Sequence, residues 1–300
     1  VNAVSQWKPV RKAVQKTLGV HEKAWLPEFA PKKLRQIIKK KKALTVRDGE
    51  RTPGKVAIFA TCYINYNEPG IGTDLVKVLE HNEISWVIAE KEVCCGMPKL
   101  EQGDLEAVER LKRINIPVLA KLAREGYAIL AGVPSCTLMF KQELPLMFPE
   151  DQDVQAVKAA FWDPFDYFMA RVKDGLMNTD FKTGLGSVSY QAPCHGRVQN
   201  IGKKTEEFLK SIPNTHVKTT ERCSGHAGTY GVKKEFHETS MKIGRPVFRT
   251  MNEQSPDYIS SDCPLGGHHI AQGIRENHDN EPSLAHPLSL VARAYGLNEE

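Results

Sequence analysis

The sequence has no long apolar run. Its longest uncharged hydrophobic stretches, such as YAILAGV at 127–133, fall well short of the ~20 residues that a membrane-spanning helix needs. It also lacks a leading apolar segment of the kind a secretion signal carries, so export is not expected. Beginning on Val1 rather than methionine, it is open to being a processed form or a piece of something longer. Cysteine pairs spaced as C-x2-4-C, the usual knuckle of a structural zinc site, are missing too. Without an export signal, seven cysteines, an odd number, are not expected to form a disulfide framework, because cytosolic thiols stay reduced. Reduced cysteines are commonly small buried hydrophobes, so any further role has to show in their pattern.

What is present is a chain of 300 residues with 41% hydrophobic content, enough for one large α/β domain or two of about 125–150 residues. The net charge of +5 conceals an asymmetry. Residues 1–47 hold 13 Lys and Arg against 2 Glu, which leaves the remainder at −6. Such a basic arm suits an anionic surface, whether phospholipid, nucleic acid or an acidic partner subunit, or else forms a solvated helical face. Two amphipathic helices are expected within it, in SQWKPVRKAVQKTLGV and in KKLRQIIKKKKAL. The turn-rich RDGERTPGK at 47–55 then marks a boundary.

Beyond that boundary, short apolar runs alternate with helical patterns, which predicts parallel sheets covered by helices. KVAIFAT, ISWVIA and YAILAGV read as strands leading to Cys62, Cys94 and Cys136; GSVSYQAP, THVKTT and PDYISS lead to Cys194, Cys223 and Cys263. The long pattern LEAVERLKRINIPVLAKLAREG reads as a helix broken or kinked at Pro117. The cysteine separations are 32 and 42 residues in the first half and 29 and 40 in the second, Gly96 matches Gly225, and Cys95 falls opposite Ser224. The chain therefore reads as two copies of one α/β module: a basic helical arm at 1–50, a first module at 51–150, an aromatic helical linker at 151–180 that packs the modules together, and a second module at 181–300.

Loops at the carboxyl ends of parallel strands are where open α/β folds place ligands. Four thiolates converging there, Cys62, Cys94, Cys95 and Cys136, suit zinc or an iron–sulfur cluster, both soft enough to prefer sulfur. The second module offers three, Cys194, Cys223 and Cys263, with His195, His226, His268 and His269 within six residues of them. Imidazole can replace thiolate at a cluster and raise its potential, move protons near neutral pH, or simply satisfy loop carbonyls.

The blocks EVCCGMPKLEQGD, PSCTLMFKQELP, APCHGRVQNIG, ERCSGHAGTYGVKKE and SDCPLGGHHIAQGI resemble the cysteine-rich CCG domain found in the B subunit of heterodisulfide reductase, in lactate and glycolate oxidation iron–sulfur subunits and especially in the C subunit of anaerobic glycerol-3-phosphate dehydrogenase. The resemblance runs over most of residues 55–275. It implies an iron–sulfur cluster, of the [4Fe-4S] kind, in a non-catalytic or co-catalytic oxidoreductase subunit. Such a subunit would take electrons from a flavin dehydrogenase or ferredoxin-like partner and pass them towards quinone. It implies a cytoplasmic protein, peripheral on the inner membrane through the basic arm. Nucleic-acid binding is not expected, because the body is acidic and has no reading motif. Two departures stand out. The ferredoxin-like C-x2-C-x2-C-x3-C-P runs usual in those proteins are not in this sequence, and the terminal C-x2-C is lost, with Met139 and Gly266 in place of its second cysteine. Two other functions stay open: a thiol or disulfide reductase with a site-differentiated cluster, and a zinc-stabilised assembly module.

Overall fold

Six of the seven strands end three to six residues before a cysteine. The computed structural model describes residues 2–38, 45–253, 255–278 and 281–297. Its first sheet is parallel, in the order β2-β1-β3-β4, with β1 at Lys55–Ile58, β2 at Ser85–Ile88, β3 at Ala128–Leu130 and β4 at Phe161–Trp162. The second, also parallel, runs β6-β5-β7, with β5 at Gly186–Gln191, β6 at Thr215–Thr220 and β7 at Tyr258–Ser260. The order β2-β1-β3 recurs as β6-β5-β7, and Val56, between Trp86 and Ala128, holds the place that Val188 holds between Val217 and Tyr258. The α/β class and the two tandem modules expected from the sequence are therefore what the chain forms.

The fourth strand was not expected. Phe161 and Trp162 lie inside the aromatic segment read as helical, yet they pair with Ile129 and Leu130 and separate a helix at Gln152–Ala160 from one at Pro164–Lys173. Two side-chain caps explain the interruption. Asp151 accepts the amide protons of Asp153 and Val154, and Asp163 those of Phe165 and Asp166, so the second helix starts afresh just after the strand. Phe140 lies between Phe59 and Phe161, its ring centre 5.0 and 4.9 Å from theirs, and Phe165 and Phe168 each lie 5.8 Å from Phe208 of the second module. The linker thus adds a strand to one module and packs a helix on the other.

Pro117 does not break its helix, which runs unbroken over Leu105–Arg124. The proline sits on the exposed face, and so does Arg113, whose carbonyl loses its amide partner and is left to water. Core residues of both modules, from Val56 and Leu130 to Val188, Phe208 and Leu288, form one continuous cluster; Val247, Phe248, Met251, Ile259, Ile270 and Ile274 form a smaller second one.

Both ends of the chain stitch the modules together. The C-terminal helix Pro287–Ala294 packs on the first-module helix Pro69–His81. The basic arm forms helices at Asn2–Gln6, Lys8–Leu18 and Leu34–Ile37, and residues 39–44, which include its run of four lysines, lie outside the described residues. Beyond Gly19 the arm is a strap. Val20 bridges Lys233, the Trp25 amide donates to Gln272, and Arg35 binds the Ala89 carbonyl (2.5 Å) and Glu92 (2.8 Å). Arg11 is buried and donates to the Glu22, His21 and Ala24 carbonyls, whereas Val4, Trp7 and Leu18 stay exposed, Trp7 by 63%. Among the described residues no helix is long and apolar enough to cross a membrane.

Candidate metal centre

Each expected ligand sits where a strand's carboxyl end releases the chain. Cys62 opens the short helix Cys62–Tyr66 behind Thr61, a non-glycine residue held at φ +55° whose hydroxyl caps Ile64. Backbone strain of this kind persists only where surroundings enforce it. Cys94 and Cys95 follow β2 in a loop that Asn115 pins from both sides, accepting the Val93 amide (2.9 Å) and donating to the Cys94 carbonyl (3.0 Å). Gly96 turns that loop at φ +104°, where a side chain would strain the backbone and press on Met139. Cys136 lies in the helix Pro134–Leu138.

These four thiols meet. Cys62 and Cys95 each interact with Cys94, and Cys95 also with Cys136. The Cys62 and Cys95 thiols, with the Gly96 amide and Lys99, hold the Cys94 thiol far below its ordinary value. The bond to Cys94 and burial push Cys62 up; bonds to Cys136 and Cys94, then burial, push Cys95 up. One thiolate already stabilised by its neighbours is the electrostatic setting that favours metal over proton. Cys95 and Cys136 are buried, Cys94 is half-buried and Cys62 is exposed, so the group opens to solvent on one side. Among the described residues no three His, Cys, Asp or Glu side chains form a ready-made metal site. The donor set fits an iron–sulfur cluster or zinc in number and softness.

In the second module Cys194 and Cys223 are exposed and Cys263 is half-buried. Burial raises Cys263 to about 11, the Gly266 and Leu265 amides oppose this, and the charge of Cys194 adds to it. The four histidines separate. His268 spends Nε2 on Glu68 (2.5 Å) and stacks on Trp25 with ring centres 4.0 Å apart. His195 faces Glu101 at 3.6 Å, and His269 shares a bond with Ser240 (3.1 Å). His226 is buried with Nε2 unpartnered among the described residues, and burial lowers it to about 4.

The two thiol groups face one another across the module interface. Tyr63, next to Cys62, senses the charge of Cys263 and donates to Glu68 (2.6 Å), the carboxylate that holds His268. Gln199 reaches from beyond Cys194 to the Pro134 carbonyl beside Cys136 (3.2 Å). Sequence reasoning missed this network because its partners lie up to 200 residues apart; nothing local marks Glu68.

A buried acid cluster was missed as well. Asp163, Tyr190 and Asp262 line a cavity of ≈ 230 Å³ whose rim carries Arg197, Lys203 and Lys204. Tyr190 and Thr205 donate to Asp262. Burial first, then the charge of Asp262, pushes Asp163 from 3.8 up to about 7, and burial pushes Asp262 up to about 6. A carboxyl raised on folding stabilises the fold fully below its unfolded value and loses that contribution as pH rises through the folded one. For Asp163 that window runs from 3.8 to about 7. Asp163→Asn should therefore gain on the wild type as pH rises from about 5 to 8. Urea midpoints measured at both values test this, and a difference that does not change with pH would refute it.

The cysteine-rich domain (CCG) family matches this chain twice, over residues 56–141 and 188–271, more than half of its length. The C subunit of anaerobic glycerol-3-phosphate dehydrogenase from Escherichia coli K12 is 27% identical over 98% of this chain and 72% of its own length. An uncharacterized iron-sulfur protein of Methanocaldococcus jannaschii is 28% identical, covering 80% of this chain and 46% of its own. The B subunit of fumarate reductase (CoM/CoB) from Methanothermobacter marburgensis is 25% identical, covering 82% and 48%. The chain thus spans about half of each of the two methanogen relatives.

Proposed function

This chain belongs to the cysteine-rich (CCG) domain family, carrying the domain twice, and on that premise we propose that it is an iron–sulfur electron-transfer subunit of an anaerobic dehydrogenase or reductase. The observation that carries the reading is the meeting of Cys62, Cys94, Cys95 and Cys136 at the ends of three adjacent parallel strands. Relatives named as an iron-sulfur protein and as subunits of a dehydrogenase and a reductase support it. A cluster held there supplies one-electron chemistry without a catalytic residue.

The chain's own groups would set its surroundings. The Gly96 amide is directed at the Cys94 sulfur, and the buried Cys95 and Cys136 keep water from one side. Donors to the sulfurs and low exposure are among the factors that tune a cluster's potential. Cys194, Cys223 and Cys263 would hold a second group, with Tyr63 in between. Electrons would enter from a flavin or ferredoxin-like partner and leave towards quinone. The exposed Val4, Trp7 and Leu18, on and between the first two helices, the second of which carries exposed lysines, would rest on a membrane or on the subunit that faces it.

A second reading has its own support. Four cysteine thiolates are also a full ligand set for a closed structural zinc site. Anaerobic purification with iron, sulfide and zinc analysis separates the two. Iron and sulfide in comparable amounts, with a visible absorption bleached by dithionite, are expected; zinc alone would replace the electron-transfer reading with a structural one.

A further inference from the structure

The two modules repeat each other down to single hydrogen bonds. The Gly225 amide donates to the Cys223 sulfur (3.4 Å), and the Gly96 amide is near enough to Cys94 to lower the pKa of its thiol; Gly96 and Gly225 have φ of +104° and +89°. Cys62 and Cys194 each open a short helix, and each is close enough to exchange charge with the third cysteine of its module, Cys136 or Cys263. The correspondence extends to the position where the sequences part. Cys95 is 4% exposed and interacts with Cys136; Ser224 is 7% exposed and, like Cys263, lies against Gly266. A Cβ placed on Gly266 would stand 3.5 Å from Ser224 Oγ and 3.6 Å from Cys263 Sγ, so both atoms border one hollow. In the first module the residue at that place is the buried Met139.

Ser224 Oγ accepts the His226 amide at 3.4 Å, and its own proton has no acceptor among the described residues. The imidazoles nearby are turned elsewhere. The His226 ring lies 5.7 Å from that of His269, which bonds Ser240 on the helix His237–Asn252, and Ser240 in turn donates to the Gly225 carbonyl (2.8 Å). That cluster buttresses the loop from behind.

We propose that Ser224 is the fourth ligand of the second site, which binds a metal through Cys194, Cys223, Cys263 and the Ser224 oxygen. Ligation releases the hydroxyl proton to solvent. Three sulfurs and one oxygen make a harder site than the four sulfurs of the first module, suited to a divalent ion or an iron that prefers mixed donors. The inference rests on the reading that the second-module thiols bind metal at all.

Cobalt(II) alone, titrated anaerobically into the reduced full chain, reports both points through its thiolate charge-transfer absorption. Two binding steps are expected in the wild type. Ser224→Cys should raise the final absorption by about one seventh, as thiolate ligands go from seven to eight, and should protect the added thiol from alkylation. Ser224→Ala should weaken the second step by at least about tenfold and leave the first unchanged. An unchanged second step in Ser224→Ala, or an added thiol that stays alkylatable with cobalt bound, overturns the assignment of Ser224. A wild type that shows one step only, insensitive to Cys263→Ser, overturns the second metal site itself.

Discussion

Cys95→Ser is expected to lower metal affinity at the first site by more than the roughly 10–100-fold typical of losing a supporting residue. Cys95 interacts with two of the other three sulfurs, linking Cys94 to Cys136, and it is 4% exposed. A serine there replaces a soft donor with a hard one on a shorter arm, a poorer match for a soft metal held by three other sulfurs. Cys62, at the solvent edge, cannot fill a corner on the buried side. The empty fold should suffer less, by about 1–2 kcal/mol, because a hydroxyl can still donate to one of the neighbouring sulfurs. Reconstituted iron and sulfide, with the absorption spectrum, measure the first effect, and a denaturant curve measures the second. Cys194→Ser is the control, since it leaves the first four thiols intact. A Cys95→Ser protein with wild-type iron, sulfide and spectrum would remove this residue from the ligand set.

Phe248→Ala should cost about 3–5 kcal/mol of stability, at the upper part of the range for a buried phenylalanine. The ring is fully buried in the smaller core and is received by two glycines. A Cβ on Gly244 or Gly273 would stand 2.3 or 2.2 Å from its carbon atoms. Glycines have no side chains with which to collapse into the space, so the cavity stays. The same helix carries Ser240, which holds the Gly225 carbonyl, and Gly244 packs directly under the Ser224 carbonyl. Loss of the ring should therefore loosen the second thiol loop while the first remains as it was. Urea unfolding and amide exchange at Gly225 and His226 check the two parts; a loss under about 1 kcal/mol would mean that the smaller core closes over the gap.

The sequence carried its strongest information at the junctions between strands and cysteines. Six short strand-like runs, each followed by a cysteine at matched spacing, were enough to expect parallel sheets and a repeated module; β1 and β3 carry the continuous apolar signature of a strand buried on both faces, whereas β6 alternates. The fourth strand left none. Phe161–Trp162 is two residues long, and in an aromatic stretch either period can be read. Of the arm, composition gave only its charge, read as suiting an anionic surface or forming a solvated helical face, yet Arg11 is buried on carbonyls and Arg35 pairs with Glu92. Composition reports charge but not where the side chain ends. The acids at Asp163 and Asp262 come from different modules and acquire their character only from burial next to each other. The offset of Ser224 against Cys95 was visible in the alignment of the two halves; its burial beside Cys263 was not.

The packing of Pro287–Ala294 on Pro69–His81 has a consequence for synthesis. A ribosome making this chain releases the first-module helix, with Ile71, Leu75, Val78 and Leu79 on its inner face, about 200 residues before the helix that covers part of it. At roughly 5–20 residues per second that interval lasts on the order of 10–40 s. For about the last 150 of those residues, after Cys136 is added, all four first-module thiols have been made while the module around them is unfinished. Closure by the last helix comes after the cysteines have had time to meet whatever loads them, so the order of translation itself provides a window for metal insertion.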